Sequence, residues 1–159
     1  MTNTNRIINK IKEGYSKEGI YSDWLTLTQE INDKFSDATL DPDWMHINPK
    51  LARDKGPYDN TIAFGFWTIS MLTYFTREIQ KSDYPEGISY GLNYGFDKLR
   101  LINPILVGNS IRLKVKLVDI IDKGNGRILL KTDNSIEIKG IEKPAMVCIW
   151  LTMYFTKNE

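Results

Sequence analysis

The sequence predicts an α+β fold in which an antiparallel sheet wraps around one long central helix. The stretch from Asn60 to Thr76 contains no charged residue and has an apolar centre, which indicates a helix buried on all sides. We expect this helix over Ile62–Phe75. From Ile111 onward, apolar residues recur at about every second position, as in strands that bury one face.

Length and composition indicate one globular domain. The chain has 159 residues, of which 42% are hydrophobic and 26% charged, and these values are typical of soluble globular proteins. We expect a single domain over 1–159, with 1–20 as an N-terminal helical extension. The first fifteen residues are too polar for a secretory signal, which predicts a cytoplasmic protein. The uncharged stretch is shorter than the roughly 20 apolar residues of a membrane span, so no membrane partner is expected.

Charge and cysteine content argue against several other classes. The formal net charge is +1 with no long run of one sign, so no nucleic-acid partner is expected. Arg112, Lys114 and Lys116 alternate with apolar residues, which indicates the solvated face of a strand, with contacts to a phosphate-bearing ligand as the alternative. Cys148 is the only cysteine and lies in an apolar run, which predicts a buried, unreactive thiol.

Two elements are predicted before the central helix. Ser22–Thr28 is expected to be a short strand, and Thr28 can cap the helix that follows. That helix must end before Pro42, so 39–49 is a loop. Its apolar face is expected to contain Ile31, Phe35 and Ala38.

About four antiparallel strands are predicted after the central helix. Lys123–Gly126 has the composition of a hairpin turn between two of them. An open sheet that ends in long apolar strands leaves an edge to be covered, which predicts a homodimer. The four segments are Ile111–Val118, Arg127–Thr132, Ser135–Lys139 and 145–155.

Acid–base groups cluster in the loop Asp41–His46. His46 is the only histidine, and the side-chain pKa of histidine, about 6.5, lies nearest to neutrality of any residue type. A neighbouring carboxylate would fix the position of its proton, so Asp41 and His46 could activate water together. The alternatives are a hydrogen-bonding network within the loop or, less favoured, a metal site with Asp43. A metal is not expected, because no second histidine completes a typical zinc set. No cofactor is expected either.

Gly65 lies near the predicted start of the central helix, where backbone amides are free. Glycine inside a helix costs roughly 1 kcal/mol relative to alanine, which indicates that another group approaches the backbone closely here. That group could be the carbonyl of a thioester, or a neighbouring strand that a larger side chain would crowd.

The sequence resembles the MaoC-like dehydratases, and within them the branch of nodulation protein N-like proteins. The similarity covers about residues 20 to 155, and the order of its motifs is specific. The matching motifs are Trp24–Ile31, Phe35–Pro49, Gly56–Tyr58, Thr61–Phe66, Thr68–Ser70, Asn93–Gly95, Pro104, Val107–Gly108 and Arg112.

This resemblance implies a hot-dog fold and (R)-specific hydration of 2-enoyl-CoA, or of another acyl-carrier thioester. Asp41 and His46 would hold and activate the water, and the Gly65 amide would bind the thioester oxygen. Ser70 would line the substrate pocket. The chain departs from the family at two positions, with Leu40 in place of the usual glycine and Phe64 in place of a histidine beside the substrate. An acyl-CoA thioesterase and a non-catalytic acyl-thioester-binding protein remain the alternatives.

Overall fold

The computed structural model describes residues 3–157. Within them five helices and six strands follow one another along the chain. They are α1 (Asn3–Glu13), β1 (Ile20–Tyr21), β2 (Leu25–Thr26), α2 (Gln29–Thr39), α3 (Trp44–Ile47), α4 (Pro49–Lys55), α5 (Gly65–Gln80), β3 (Ile88–Leu101), β4 (Ser110–Gly124), β5 (Arg127–Ile138) and β6 (Met146–Thr156).

The strands form one antiparallel sheet in the order β1-β4-β5-β6-β3, with β2 also paired to β4. Helix α5 packs against one face of this sheet, which confirms the predicted α+β fold. The main core joins Leu72 and Phe75 of the helix to Ile111, Leu113 and Met146 of the strands. Across residues 3–157, no helix combines the length and apolar character needed to cross a lipid bilayer.

The central helix begins and ends later than predicted. Helix α5 spans Gly65–Gln80, whereas the expected range was Ile62–Phe75. Ile62 lies before the helix and forms an isolated antiparallel bridge with Leu106. Arg77 and Glu78 extend the helix beyond the uncharged stretch, because charged side chains at exposed positions are compatible with helical structure.

The prediction that this helix is buried on all sides is wrong for the single chain. Trp67, Leu72 and Phe75 are buried, but Phe66 is 80% and Tyr74 49% exposed. These two aromatic residues, eight positions apart, lie on the same face of the helix. One face of α5 is therefore open and exposes two large aromatic side chains.

Four strands follow α5, as predicted, but they do not correspond one to one to the four predicted segments. Arg127–Thr132 and Ser135–Lys139 were expected as two strands, and the structure joins them as β5, which ends at Ile138. The fourth strand is β3, which the alternating pattern did not reveal. Three register shifts interrupt its pairing with β6, and most of its residues are exposed. Irregular pairing at a sheet edge removes the regular alternation of buried and exposed positions.

The hairpin between β4 and β5 is confirmed. Gly124 pairs with Arg127, which leaves a two-residue turn formed by Asn125 and Gly126. Both turn residues have positive φ, at 52° and 70°. Asparagine and glycine adopt this conformation most readily, so the local sequence fixes the turn.

Helix α2 has the predicted N-cap, since Thr28 Oγ1 accepts a hydrogen bond from the Ile31 amide at 3.3 Å. Of the strand expected over Ser22–Thr28, only the two residues of β2 are extended, and a second short strand, β1, lies just before that range. Both pair with β4. The predicted apolar face of α2 is only partly correct. Ile31 and Phe35 pack against the main core, whereas Ala38 is exposed.

Cys148 and Arg112 were considered for chemical roles from the sequence, and in the structure both have structural roles. Cys148 is 3% exposed, and burial raises the pKa of its thiol to about 12, as expected of an unreactive cysteine. Along β4, Ile111 and Leu113 are fully buried while Arg112 lies on the opposite face. There Arg112 Nε donates a 2.8 Å hydrogen bond to Glu137, so the predicted alternation is confirmed, and the face with the basic residues is half-buried rather than fully solvated.

Leu40 ends α2 in a left-handed conformation, with φ 58° and ψ 32°. This conformation costs a branched residue roughly 1 kcal/mol and costs glycine little. We expect Leu40→Gly to raise the free energy of unfolding by about 0.5–1 kcal/mol, measured by urea denaturation. Thr39→Gly is the matched control, because it places glycine inside the helix and should destabilise the protein. A loss of stability in Leu40→Gly would contradict the assigned strain.

Candidate active site

His46 lies in the short helix α3. Asp43 is the N-cap of this helix, and its side chain accepts a hydrogen bond from the Met45 amide at 2.8 Å. The Nδ1 atom of His46 is 2.8 Å from the backbone oxygen of Ile62. Because a carbonyl oxygen can only accept, Nδ1 must carry the proton in this contact. The Nε2 atom is then the nitrogen able to take a proton from water.

Phe64 packs directly on this imidazole. The two ring centroids are 3.8 Å apart with an interplanar angle of 30°. Phe64 is 4% exposed and also contacts Phe35, with centroids 5.1 Å apart. Phe64, at the position where the resemblance implies a histidine, therefore supports the His46 ring and offers no polar group of its own.

His46 and Gly65 line the same cavity, which has a volume of about 260 Å³. Tyr58 and Asn103 contribute polar groups to its lining, and Leu101 contributes an apolar one. The structure thus brings together two of the predicted site residues from separate parts of the chain, around a space large enough for a small ligand.

Gly65 is the first residue of α5, and no side chain caps this helix. The first amides of the helix therefore lack intrahelical partners, at the positive end of the helix dipole. A β-carbon at Gly65 would lie 2.5 Å from Leu101 Cδ1, well inside van der Waals contact. Of the two predicted reasons for a glycine, crowding applies, since a larger residue would have to displace the end of the Leu101 side chain. The approach of a thioester carbonyl to the helix amides stays a prediction.

Asp41 is not among the residues that line this cavity, and its side chain is exposed. Its backbone is firmly held, because Ser36 Oγ donates to its carbonyl oxygen at 2.6 Å. Its carboxylate accepts a 3.3 Å hydrogen bond from the Asp43 amide. Asp41 lies in the turn before α3, so the loop predicted over 39–49 is in fact interrupted by the short helix that contains His46. A water shared by Asp41 and His46 remains a prediction.

Ser70 lies on the open face of α5, where it is exposed. Its hydroxyl donates to the backbone oxygen of Trp67 at 2.8 Å. It borders a surface groove with Thr73 and Tyr74 and does not line the His46 cavity of this chain. Its predicted contact with substrate would therefore require a ligand or a second chain on this face.

Sequence reasoning missed two residues that hold the His46 loop. Asn32 is fully buried and donates through Nδ2 to the backbone oxygens of His46 and Ile62, at 3.0 and 2.9 Å. Gln29 also donates to the His46 oxygen, at 2.8 Å, and accepts from the Thr61 hydroxyl at 2.6 Å. Gln29 and Asn32 are three positions apart on one helix face, and such a polar stripe beside apolar residues was the available signal.

The part of the chain that the structure describes, residues 3–157, contains no cluster of three His, Cys, Asp or Glu side chains suited to a metal ion. The chemistry available around the cavity is that of the His46 imidazole, the first amides of α5, the polar groups of Tyr58 and Asn103 and, in the turn before α3, the Asp41 carboxylate.

The chain is similar in sequence to proteins of one family. The profile described as MaoC like domain matches residues 13–138. The chain is 36% identical over 133 residues to 3-hydroxyacyl-thioester dehydratase Z of Mycobacterium tuberculosis, covering 84% of this chain and 85% of the relative. It is 31% identical over 134 residues to nodulation protein N of Rhizobium leguminosarum bv. viciae, covering 83% and 81%.

Solved structures share the fold at low sequence identity. A monoamine oxidase regulatory protein from Archaeoglobus superposes with a TM-score of 0.73 at 16% identity, over 87% of this chain and 89% of that one. An (R)-hydratase from A. caviae superposes with a TM-score of 0.67 at 14% identity, over 84% and 93%. These similarities confirm the predicted hot-dog fold.

Proposed function

The chain belongs to the MaoC-like domain family, and we propose from this premise that it is an (R)-specific hydratase of 2-enoyl thioesters, also able to catalyse the reverse dehydration. The observation that carries the proposal is the shared cavity, in which His46 has Nδ1 bound to Ile62 and Gly65 begins a helix without a side-chain cap. A general base and free amides are the two functions that this reaction needs.

In the proposed reaction, the oxygen of a water molecule bonds to the β-carbon of the enoyl group. His46 Nε2 takes one proton from that water, and Asp41 holds the water in place. The electrons of the double bond move to the thioester oxygen, where the Gly65 amide stabilises the enolate charge, by about 3 kcal/mol if it acts as other oxyanion donors do. The proton then passes to the α-carbon, which completes the addition. General acid–base catalysis of this kind typically contributes about 100- to 10,000-fold.

The size of the cavity favours a short acyl group. Its volume of about 260 Å³ is below the usual range for drug-sized ligands, roughly 300 to 1,000 Å³. We therefore expect a thioester such as crotonyl-CoA to be accepted before longer chains. The carrier, whether CoA or an acyl-carrier protein, would lie outside this cavity.

Incubation with crotonyl-CoA tests the proposal. Hydration removes the enoyl absorbance and leaves the thioester intact. Release of a free thiol, detected with a thiol reagent, would identify a thioesterase instead.

Measurable binding of crotonyl-CoA without any reaction would identify the non-catalytic alternative. The exposed side chain of Asp41, outside the His46 cavity lining, is the observation that favours this alternative.

We expect the protein to be a homodimer. Within residues 3–157, strand β3 pairs only with β6, which leaves its other edge free there, and Leu92 and Tyr94 on this strand are 55% and 64% exposed. The open face of α5 adds Phe66 and Tyr74. Such apolar edges are normally covered by a second chain. Light scattering at micromolar concentration should give twice the 18.4 kDa chain mass. Phe66→Glu should shift the mass toward one chain, and a wild-type mass of one chain would contradict the expectation.

Asn32 is expected to act as a positioning residue for His46. Asn32→Asp replaces the two donated hydrogens with an acceptor beside two carbonyl oxygens, so the loop should shift and kcat should fall at least tenfold. Thr28→Ala is the matched control, because it removes the cap of the same helix at a cost of about 1 kcal/mol without touching the His46 loop. Equal loss of kcat in the two variants would assign Asn32 to general stability alone.

A further inference from the structure

Leu101 covers part of the helix start that is proposed to bind the thioester oxygen. A β-carbon added at Gly65 would lie 2.5 Å from Leu101 Cδ1 and 3.9 Å from Leu101 Cγ. Apart from the chain neighbours of Gly65 and the backbone of its own helix, no other residue of 3–157 places an atom within 4 Å of that position. A single side chain therefore occupies the space next to the Gly65 backbone on this side.

The backbone of Leu101 is held by the sheet. Leu101 is the last residue of β3 and pairs with Met146 of β6. The amide that follows, that of Ile102, donates a 2.7 Å hydrogen bond to the Ala145 oxygen. These contacts fix the point from which the Leu101 side chain extends toward Gly65.

The side chain of Leu101 is free to rotate. It is 53% exposed and belongs to neither of the two clusters of buried apolar residues. Exposed side chains change rotamer within picoseconds to nanoseconds. A ligand can therefore displace the Leu101 side chain from Gly65 without opening the core.

The His46 cavity has a buried end and an exposed end. Ile105 and Ala145 in its lining are buried, whereas Leu101 and Ile102 are exposed. An apolar acyl group is more stable at the buried end, and a charged carrier is more stable in solvent. Leu101 thus lies where a bound thioester would pass from solvent into the protein.

We propose that Leu101 determines the specificity of this cavity by excluding acyl groups that are branched at the α-carbon. This inference rests on the proposed function, because it takes the Gly65 amide as the group that binds the thioester oxygen. A hydrogen bond of about 2.9 Å would hold that oxygen at the helix start, and the α-carbon is bonded to the same carbonyl carbon. A methyl branch on the α-carbon would compete with Leu101 Cδ1 for space, whereas an unbranched, planar enoyl group needs less of it.

Calorimetry with two isomeric thioesters tests this specificity without any reaction. Racemic 2-methylbutyryl-CoA and 3-methylbutyryl-CoA contain the same atoms, differ only in the position of the branch, and have no double bond to hydrate. The wild type should bind the 3-methyl isomer about tenfold or more tightly than the 2-methyl isomer, and Leu101→Ala should reduce this difference below about threefold. Equal affinities in the wild type would overturn the proposal.

Hydration rates test the same specificity during the reaction. The ratio of kcat/KM for crotonyl-CoA to that for 2-methylcrotonyl-CoA should fall about tenfold or more in Leu101→Ala. The comparison of ratios removes the intrinsic difference in reactivity between the two substrates. An unchanged ratio would overturn the role of Leu101.

The two measurements separate this inference from the proposed function. If the wild type hydrates neither substrate but distinguishes the two methylbutyryl isomers through Leu101, hydration is refuted and the role of Leu101 is supported. If the wild type shows neither binding nor reaction, both proposals are overturned.

Leu92→Ala is the matched control. Leu92 lies on the same strand, is 55% exposed and is not among the residues that line the His46 cavity. This variant should keep the wild-type preference between the isomers and the wild-type ratio of rates. Equal changes in Leu92→Ala and Leu101→Ala would assign the effect to strand β3 as a whole and overturn the specific role of Leu101.

Discussion

Replacing His46 with asparagine, or Asp41 with asparagine, should lower the rate of crotonyl-CoA hydration by about two to four orders of magnitude. His46→Asn is the sharper change, because an asparagine amide nitrogen can take the place of Nδ1 and still donate to the Ile62 oxygen, 2.8 Å away. It removes Nε2, the nitrogen that acts as base. Asp41→Asn keeps the shape of an exposed side chain and removes only its charge.

Thermal unfolding separates loss of chemistry from loss of structure. Asp41→Asn should leave Tm within a few degrees of the wild type, because the Asp41 side chain is exposed. His46→Asn loses stacking on Phe64, so a modest decrease in Tm is expected. If Asp41→Asn were fully active while His46→Asn were inactive, Asp41 would have no part in catalysis and only a structural part in the local hydrogen bonds. Full activity in both would refute the proposed water activation.

Gly65→Ala should reduce kcat/KM by about 100- to 1,000-fold, the effect of losing one oxyanion donor. The added methyl group would lie 2.5 Å from Leu101 Cδ1 and beside the amide that is proposed to bind the thioester oxygen. Either contact could cause the loss, and the single variant cannot distinguish them.

The double variant Gly65→Ala/Leu101→Ala separates the two causes. Shortening Leu101 removes the crowding, so Tm should recover toward that of Leu101→Ala alone. Activity should stay low, because the methyl group still keeps the thioester from the helix amide. Recovery of activity together with Tm would show that Gly65 only makes room for Leu101. A non-additive result is informative here because the two residues are in direct contact.

Several features followed from the sequence because short-range interactions determine them. The Thr28 cap depends on its own hydroxyl and an amide three residues later. The turn at Asn125 and Gly126 depends on two residues that tolerate positive φ. The alternation along β4 follows from periodicity over a few residues.

Other features depended on contacts between distant parts of the chain. The edge strand β3 exists because β6, some fifty residues later, offers hydrogen bonds to it, and its own irregular register hides the pattern. The role of Asn32 depends on carbonyl groups 14 and 30 residues away. No local rule identifies these partners.

The candidate site, too, was identified in part from the sequence and in part only from the tertiary structure. The sequence by itself identified His46, Asp41 and Gly65 through residue type, spacing and family resemblance. Only the tertiary structure brought His46 and Gly65 to one cavity, stacked Phe64 on the imidazole and left Asp41 and Ser70 outside the cavity lining. Side-chain chemistry is a property of single residues, whereas a cavity is the space left when distant segments pack, so its shape is decided by the whole fold.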